Sequence, residues 1–256
     1  MDAMRHGGQW QSCGQPGGRS RMLVRMSAER DELRSGVYAP ADAARIARIT
    51  PPRARRWVEG YKFLGRDGSE HFSPALVRCE RRGGRLSLTF ADLVELLFVR
   101  GFLDAGVAWK KVREVHTEAS KEFKTSHPFT RRRFEHDGQT IIERAHTSRE
   151  EMLVDRYTAQ TLMRAVMLPL IQRLDYDGLL KQAQRYYPLG RDCPVVIDPR
   201  RSFGEATTPS RGVPTRVILA AKMAGSSPQR IAQWYSVSLP EVEAAINFEE
   251  QYRRAA

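Results

Sequence analysis

Apolar positions in residues 36–63, GVYAPADAARIARITPPRARRWVEGYKF, fall at helical spacing in two short runs. Ala43, Ala44 and Ile46 line one side of the first run, and Ala54, Trp57 and Val58 stand at i, i+3 and i+4 of the second. The pattern predicts a helix, a tight turn and a second helix. Thr50 is placed to cap the second helix, and Pro51 or Pro52 suits its first turn, where a missing N–H costs little. With Trp57 turned inward, Arg55 and Arg56 face outward and Arg53 lies at the flank. Residues 61–88 then carry two turn signals, one at Gly65, Asp67 and Gly68 and one from Arg81 to Arg85. They predict a small hairpin or wing.

Helical spacing returns in LSLTFADLVELLFVRGFLDAGVAWKKVREVHTEASKEF. Ser87 or Thr89 can cap a helix whose inner face holds Leu93, Leu96, Leu97 and Phe102; Gly106 breaks it, and Trp109, Val112 and Val115 continue a second one. HPFTRRRFEHDGQTIIE, residues 127–143, reads as a β-hairpin turning at Asp137-Gly138. Arg131 to Arg133 would then be a phosphate or protein contact, or charge protecting an edge strand. Residues 149–186 read as helix with an apolar stripe of Leu153, Leu162, Met163, Val166 and Met167, interrupted at Pro169. That stripe is either a dimer or partner surface or an intrachain core.

The last block predicts a short strand at residues 195–197, an irregular loop and three helices. The first runs over residues 214–223. Ser226 or Ser227 caps the second, which turns Ile231, Ala232 and Trp234 inward. The third buries Leu239, Val242, Ala245, Ile246 and Phe248. No internal repeat is evident. Residues 1–34, rich in Gly, Gln, Ser and Arg, read as a disordered basic tail. The expected fold is mainly α. A winged helix-turn-helix with a small β wing occupies 37–126. A central β-hairpin with linker or dimerisation helices fills 127–187, and a trihelical, helix-turn-helix-like domain fills 188–256.

Charge sharpens this. The formal net charge is +12, which suits a polyanion or an acidic protein as partner. Residues 37–90 alone carry a net +6, so half of the excess falls on the helix-turn-helix and its wing. A short helix pinned by a Trp with guanidinium groups on its free face suits a DNA groove. The candidate DNA contacts are Thr50, Arg53, Arg55 and Arg56, with Lys62, Arg81, Arg82 and Arg85 from the wing; an ordinary solvated Arg face is the alternative. Cys13, Cys79 and Cys193 are odd in number and far apart, which argues against a disulfide framework or zinc site and fits a reducing cytosol. No apolar run of membrane-spanning length or secretory h-region is present, so a cytoplasmic location without membrane contact is expected. Six scattered histidines and the lack of a nucleophile elbow, Walker loop or zinc-protease motif argue against an enzyme, a cofactor or a metal. Asp198 in IDPRR reads as an Asx-type turn rather than a general base.

Two motif sets carry a family resemblance. YAPADAARIARITPPRARRWV, followed after a spacer by LTFADLVELLFVRGFLDAGVAWKKVREV, makes residues 37–123 resemble a MerR-like winged-helix domain. PVVIDPRRSFG, RGVPTRVILAAKMAGSSPQRIAQWY and LPEVEAAINFEEQY make residues 188–250 resemble a small helix-turn-helix family found in many prokaryotic antitoxins. Together the arrangement is similar to a VapB-like antitoxin of a type II toxin–antitoxin pair. With a homodimer expected, the resemblance implies a protein that, alone or with its toxin, represses its own operon by binding double-stranded operator DNA. It also implies neutralisation of a PIN-domain ribonuclease toxin encoded by the adjacent gene. Arg200, Arg201, Arg211 and Arg216 are the candidates for pairing with the toxin's carboxylates. The chain departs from the pattern in two ways: most VapB-like antitoxins are much shorter, and MerR activators end in a long coiled coil, for which no heptad is sustained after residue 90. A stand-alone MerR-like regulator, controlled by a ligand or by oligomerisation, is the alternative, and a protein-only adaptor is a third class.

Overall fold

In the computed structural model, which describes residues 36–77, 79–146, 159–178 and 182–253, helices dominate and the strands are short. The basic tail expected at 1–34 and the Leu153 end of the apolar stripe lie outside the described residues. Helix α1 (Pro40–Ala47) buries Ala43, Ala44, Ile46 and Ala47, and α2 (Pro51–Glu59) buries Ala54, Trp57 and Val58. Both start with proline in the first turn. The wing segment forms two antiparallel hairpins, β1 (Tyr61–Leu64) with β2 (Glu70–Ser73) and β3 (Glu80–Arg82) with β4 (Arg85–Ser87). Gly83 and Gly84 take the positive φ values, 56° and 78°, that a two-residue hairpin turn demands. Helix α3 (Phe90–Asp104) opens with a full capping box between Thr89 and Asp92, and α4 (Trp109–Phe123) follows after the Gly106 break.

The central β-hairpin expected at 127–143 is not formed. Pro128–Thr130 is a single 3-10 turn and Phe134–His146 is a helix, α5. Phe134, Ile141 and Ile142 lie on one helical face and are fully buried, so tertiary burial overrides the turn preference of Asp-Gly. Asp137 pairs with Arg133 at 2.7 Å instead of making a turn, and Gly138 lets Met163 come close, its Sδ 3.1 Å from where a Cβ would be. Arg131 to Arg133 therefore lie on no hairpin strand: Arg131 makes an isolated bridge to Gln182, Arg133 also reaches Glu122, and Arg132 faces Glu135.

The long helix expected at 149–186 is corrected as well. Its described part widens into a five-residue π turn at Met163–Met167, continues as α6 (Leu168–Ile171) and stops. Pro169 cannot donate to the carbonyl four residues back, consistent with the irregular ladder just before it. Leu162, Met163 and Met167 are buried in the main core, so this part of the stripe is an intrachain surface. The chain then forms a hairpin, β5 (Leu174–Tyr176) with β6 (Ala183–Tyr186), extended by β7 (Val196–Ile197) and β8 (Ala206–Thr207) into a four-stranded antiparallel sheet.

Helices α7 (Thr215–Met223), α8 (Pro228–Tyr235) and α9 (Leu239–Arg253) follow, with Ser227 capping α8 through the Arg230 N–H. Ile218, Ile231, Val242 and Ala245 centre a small core among them. Trp234, expected in that core, is 59% exposed, because Tyr235, one turn on from Ile231, packs there instead. The other side of α9 enters the main core through Ala244, Phe248 and Tyr252. Glu249 joins α9 to α1 and α7, accepting from Arg45 at 3.1 Å and from Thr215 Oγ1 at 2.6 Å.

Candidate nucleic-acid interface

Helix α2 is set by the turn before it. Arg48 takes the left-handed conformation (φ 53°), its N–H donates to the Arg45 carbonyl and the Ile49 N–H to that of Ala44. Ile49 is buried, and Thr50 starts α2 with an extended backbone. The Thr50 hydroxyl, expected to cap, accepts no N–H of α2 and stays exposed beside the first turn. Trp57 anchors the inner face, stacked on Trp109 of α4 with ring centroids 5.9 Å apart. Leu76 N–H donates to the Trp57 carbonyl at 2.9 Å, tying the wing to α2.

On the outer face Arg53, Arg55 and Arg56 are exposed. Arg53 lies over the Trp57 ring at 5.2 Å and Arg56 over Tyr61 at 5.5 Å, contacts that order both exposed side chains. None of the three makes an ion pair among the described residues. Glu59, the acidic neighbour on α2, is taken by Arg81 at 2.7 Å, and Lys62 is held by Glu70 at 3.1 Å across the hairpin. Two of the four wing cations are thus partly compensated. Arg85 is exposed near the β3–β4 turn without an ion pair among the described residues, and Arg82 is placed by its backbone on β3. Arg66, which sequence reasoning missed, is exposed inside the Gly65–Gly68 turn, where that turn signal could have drawn attention to it.

The C-terminal arginines stand differently. Asp198 is buried and accepts from Arg185 Nε at 2.8 Å and from the Arg200 backbone N–H at 2.9 Å, the expected Asx-type turn. Burial pushes its carboxyl up, but the Arg200 N–H and the Arg185 and Arg200 guanidiniums outweigh that and hold it below the usual carboxylate range. Arg200 also reaches Gln184, Arg201 donates to the Pro209 carbonyl at 2.9 Å, and Arg216 pairs with Glu205 at 2.7 Å. Arg211 is exposed without an ion pair among the described residues. In the same loop Ser202, Phe203 and Gly204 take φ values of 45°, 55° and 86° in succession, leaving Phe203 72% exposed. The Tyr38 hydroxyl donates to the Gly204 carbonyl at 2.9 Å and closes that loop onto the start of α1.

Residues 195–248, from the sheet's third strand through most of α9, match the family described as a protein of unknown function, DUF433. The chain is 23% identical over 240 residues to the Mycobacterium tuberculosis protein named "Putative antitoxin VapB45", which covers 84% of this chain and 95% of that one. It is 24% identical over 225 residues to a second protein of that organism, "Uncharacterized protein Rv2308", over 86% of this chain and 92% of the relative. Among solved structures, the X-ray crystal structure of Rv2018 from Mycobacterium tuberculosis superposes with a TM-score of 0.60 at 18% identity, over 82% of this chain and 96% of that one. At that identity the structural likeness speaks for the fold alone. No described helix is long and apolar enough to cross a membrane.

Proposed function

We propose that this chain is an antitoxin that represses its own operon as a DNA-binding homodimer and neutralises a PIN-domain ribonuclease toxin encoded beside it. The observation that carries the reading is the near full-length similarity to a protein named as an antitoxin. The DNA side of the reading is supported by three arginines on the outer face of α2, without an ion pair among the described residues, two of them resting on Trp57 and Tyr61. On the toxin side, the reading uses exposed Arg211 with Arg201 and Arg216. Arginine forks on a basic surface match a site that gathers carboxylates around a divalent cation.

The test is co-expression of the tagged chain with the product of the adjacent gene. Deleting the C-terminal unit is the wrong perturbation, because Phe248 and Tyr252 of α9 belong to the main core. The double variant Arg201→Glu, Arg211→Glu is the better one. A stoichiometric complex that this variant loses, with its melting temperature kept, supports the reading. Absence of any complex with the wild-type chain refutes it and leaves the stand-alone regulator.

A further inference from the structure

A cavity of 370 Å³ opens between the end of α1, α3, the π turn, β6 and α9, and three guanidinium groups line it: Arg48, Arg100 and Arg173. The carboxylate among its walls, Asp104, is held by Arg100 at 2.7 Å. Arg48 donates to the Gln251 amide oxygen at 2.9 Å, and Arg173 to the Pro188 carbonyl at 3.4 Å, both neutral acceptors. Among the described residues, two positive charges therefore face this space with no carboxylate of their own.

All three line the same wall, which Tyr252 and Tyr186 share. Arg48 lies 4.6 Å from the centroid of the Tyr252 ring. Burial pushes the Tyr252 hydroxyl up, and Arg48, Arg173 and Arg100 all oppose it, which places their positive field at that hydroxyl. The Tyr186 hydroxyl is likewise pushed up to about 12, by burial, with the Arg173 guanidinium opposing. The remaining wall includes Leu97, Val166 and Leu170, and the backbone of Gly101 is bare where a Cβ would meet Leu170 at 2.9 Å. Like charges gathered beside a partly apolar space favour an anion that joins them, although solvent at exposed Arg48 screens part of the effect. The volume falls in the range of small-molecule sites.

We infer that this cavity binds a small carboxylate carrying an apolar body, its head on Arg48, Arg100 and Arg173 and its body against Leu97, Val166 and Leu170. Such a ligand touches the helix-turn-helix directly. Arg48 is the left-handed residue between α1 and α2, and Arg100 also donates to the Ala47 carbonyl at 3.2 Å, holding the end of α1.

The test is calorimetric titration of the full chain with benzoate and octanoate, with benzamide and inorganic phosphate as comparisons. It needs neither DNA nor a partner protein, so its result is independent of the antitoxin reading. Both carboxylates are expected to bind saturably at one per chain, with benzamide and phosphate at least about tenfold weaker, the loss of one charged hydrogen bond. Arg173→Met, which removes a head contact, and Ala165→Phe, at an exposed position on the rim, should each weaken the carboxylates by a similar factor. Contacts from the benzoate ring to the Leu170 and Val166 methyl groups, read by NMR on the unaltered chain, give a check that no variant's folding can affect. The inference is overturned if neither carboxylate binds, if phosphate binds as tightly as they do, if both variants bind normally, or if the methyl contacts are absent.

Discussion

Arg55→Ala is the cleanest perturbation of the candidate DNA interface. The Arg55 side chain is exposed and makes no ion pair or ring contact among the described residues, whereas Arg53 and Arg56 rest on Trp57 and Tyr61. Alanine is the best helix former, so stability should stay within about 0.5 kcal/mol. If Arg55 neutralises one phosphate, the slope of log affinity against log salt falls by about 0.9, and the loss is equal on every sequence. If it reads a base edge, the cost is roughly 1–3 kcal/mol, and discrimination at one position relaxes. Replacing Arg53, Arg55 and Arg56 together should lower the slope by up to about 2.7, three times the single-phosphate value. Fluorescence anisotropy checks this with a duplex from upstream of the chain's own operon and a scrambled duplex, each titrated between about 50 and 200 mM salt, the range over which phosphate contacts separate. A triple variant with wild-type affinity and slope, at an unchanged melting temperature, would refute the assignment of α2.

The other predictions concern how the interface is held. Gly204→Ala should cost about 2–3 kcal/mol, from the left-handed backbone and the displaced Tyr38 hydrogen bond, because its Cβ would collide with the Tyr38 hydroxyl. Gly68→Ala, with open space at the wing turn and φ of 77°, should cost only the backbone share, about 1–2 kcal/mol; equal losses in thermal melts would discount the Tyr38 clamp. Thr89→Ala should lose about 1 kcal/mol, since the Thr89 hydroxyl both accepts the Asp92 N–H and donates to its carboxylate; an unchanged denaturant midpoint would contradict that. Burial pushes the His127 ring down, but its hydrogen bond to Asp92 and the Glu95 and Asp92 charges outweigh this and raise its pKa above 6.5. The stability it adds is then fully present below pH 6.5 and is lost as pH rises through the folded value. His127→Gln should flatten stability over that window, and an unaltered pH profile would count against the pair.

Legibility in the sequence followed the length scale of the cause. The helices α1 to α4 and α7 to α9 were readable because their apolar spacing, proline starts and caps at Thr89 and Ser227 are local signals. The Asp137-Gly138 turn signal misled because burial of Phe134, Ile141 and Ile142 is decided by distant partners. The hairpin at Leu174–Tyr186 was hidden for the converse reason. Its strands have three and four residues, too short for alternation, and its sheet is completed by β7 and β8 from beyond the following loop. The outward arginines of α2 could be read from amphipathicity. Their freedom from ion pairs could not, since it depends on Glu59 meeting Arg81 and on the β1–β2 register that gives Glu70 to Lys62.

One local device occurs twice, and its two uses differ in charge. In the first unit α1 ends at left-handed Arg48, Ile49 is buried and Thr50 starts α2. In the second, α8 ends at left-handed Ser236 (φ 52°), Val237 is buried, and Ser238 opens α9 by a reciprocal bond with Glu241. The backbone bonds match too: Ile49 N–H reaches Ala44, and Val237 N–H reaches Ala232. Both turns therefore share a left-handed cap and its backbone bonds, and the turn by itself does not select a partner. What the second helix exposes does. Helix α2 shows Arg53, Arg55 and Arg56, whereas α9 shows Glu243, Asn247 and Glu250, the last of them paired with Lys222 of α7 at 3.0 Å. A phosphate backbone attracts the first face and repels the second. The proposed division gives DNA to the N-terminal unit and a protein surface to the C-terminal one. It predicts that charge-reversing Glu243 and Glu250 to Lys leaves the salt slope of operator binding as it was. A slope that steepened with those substitutions would mean that α9 lies against the phosphates, and the division between the units would fall.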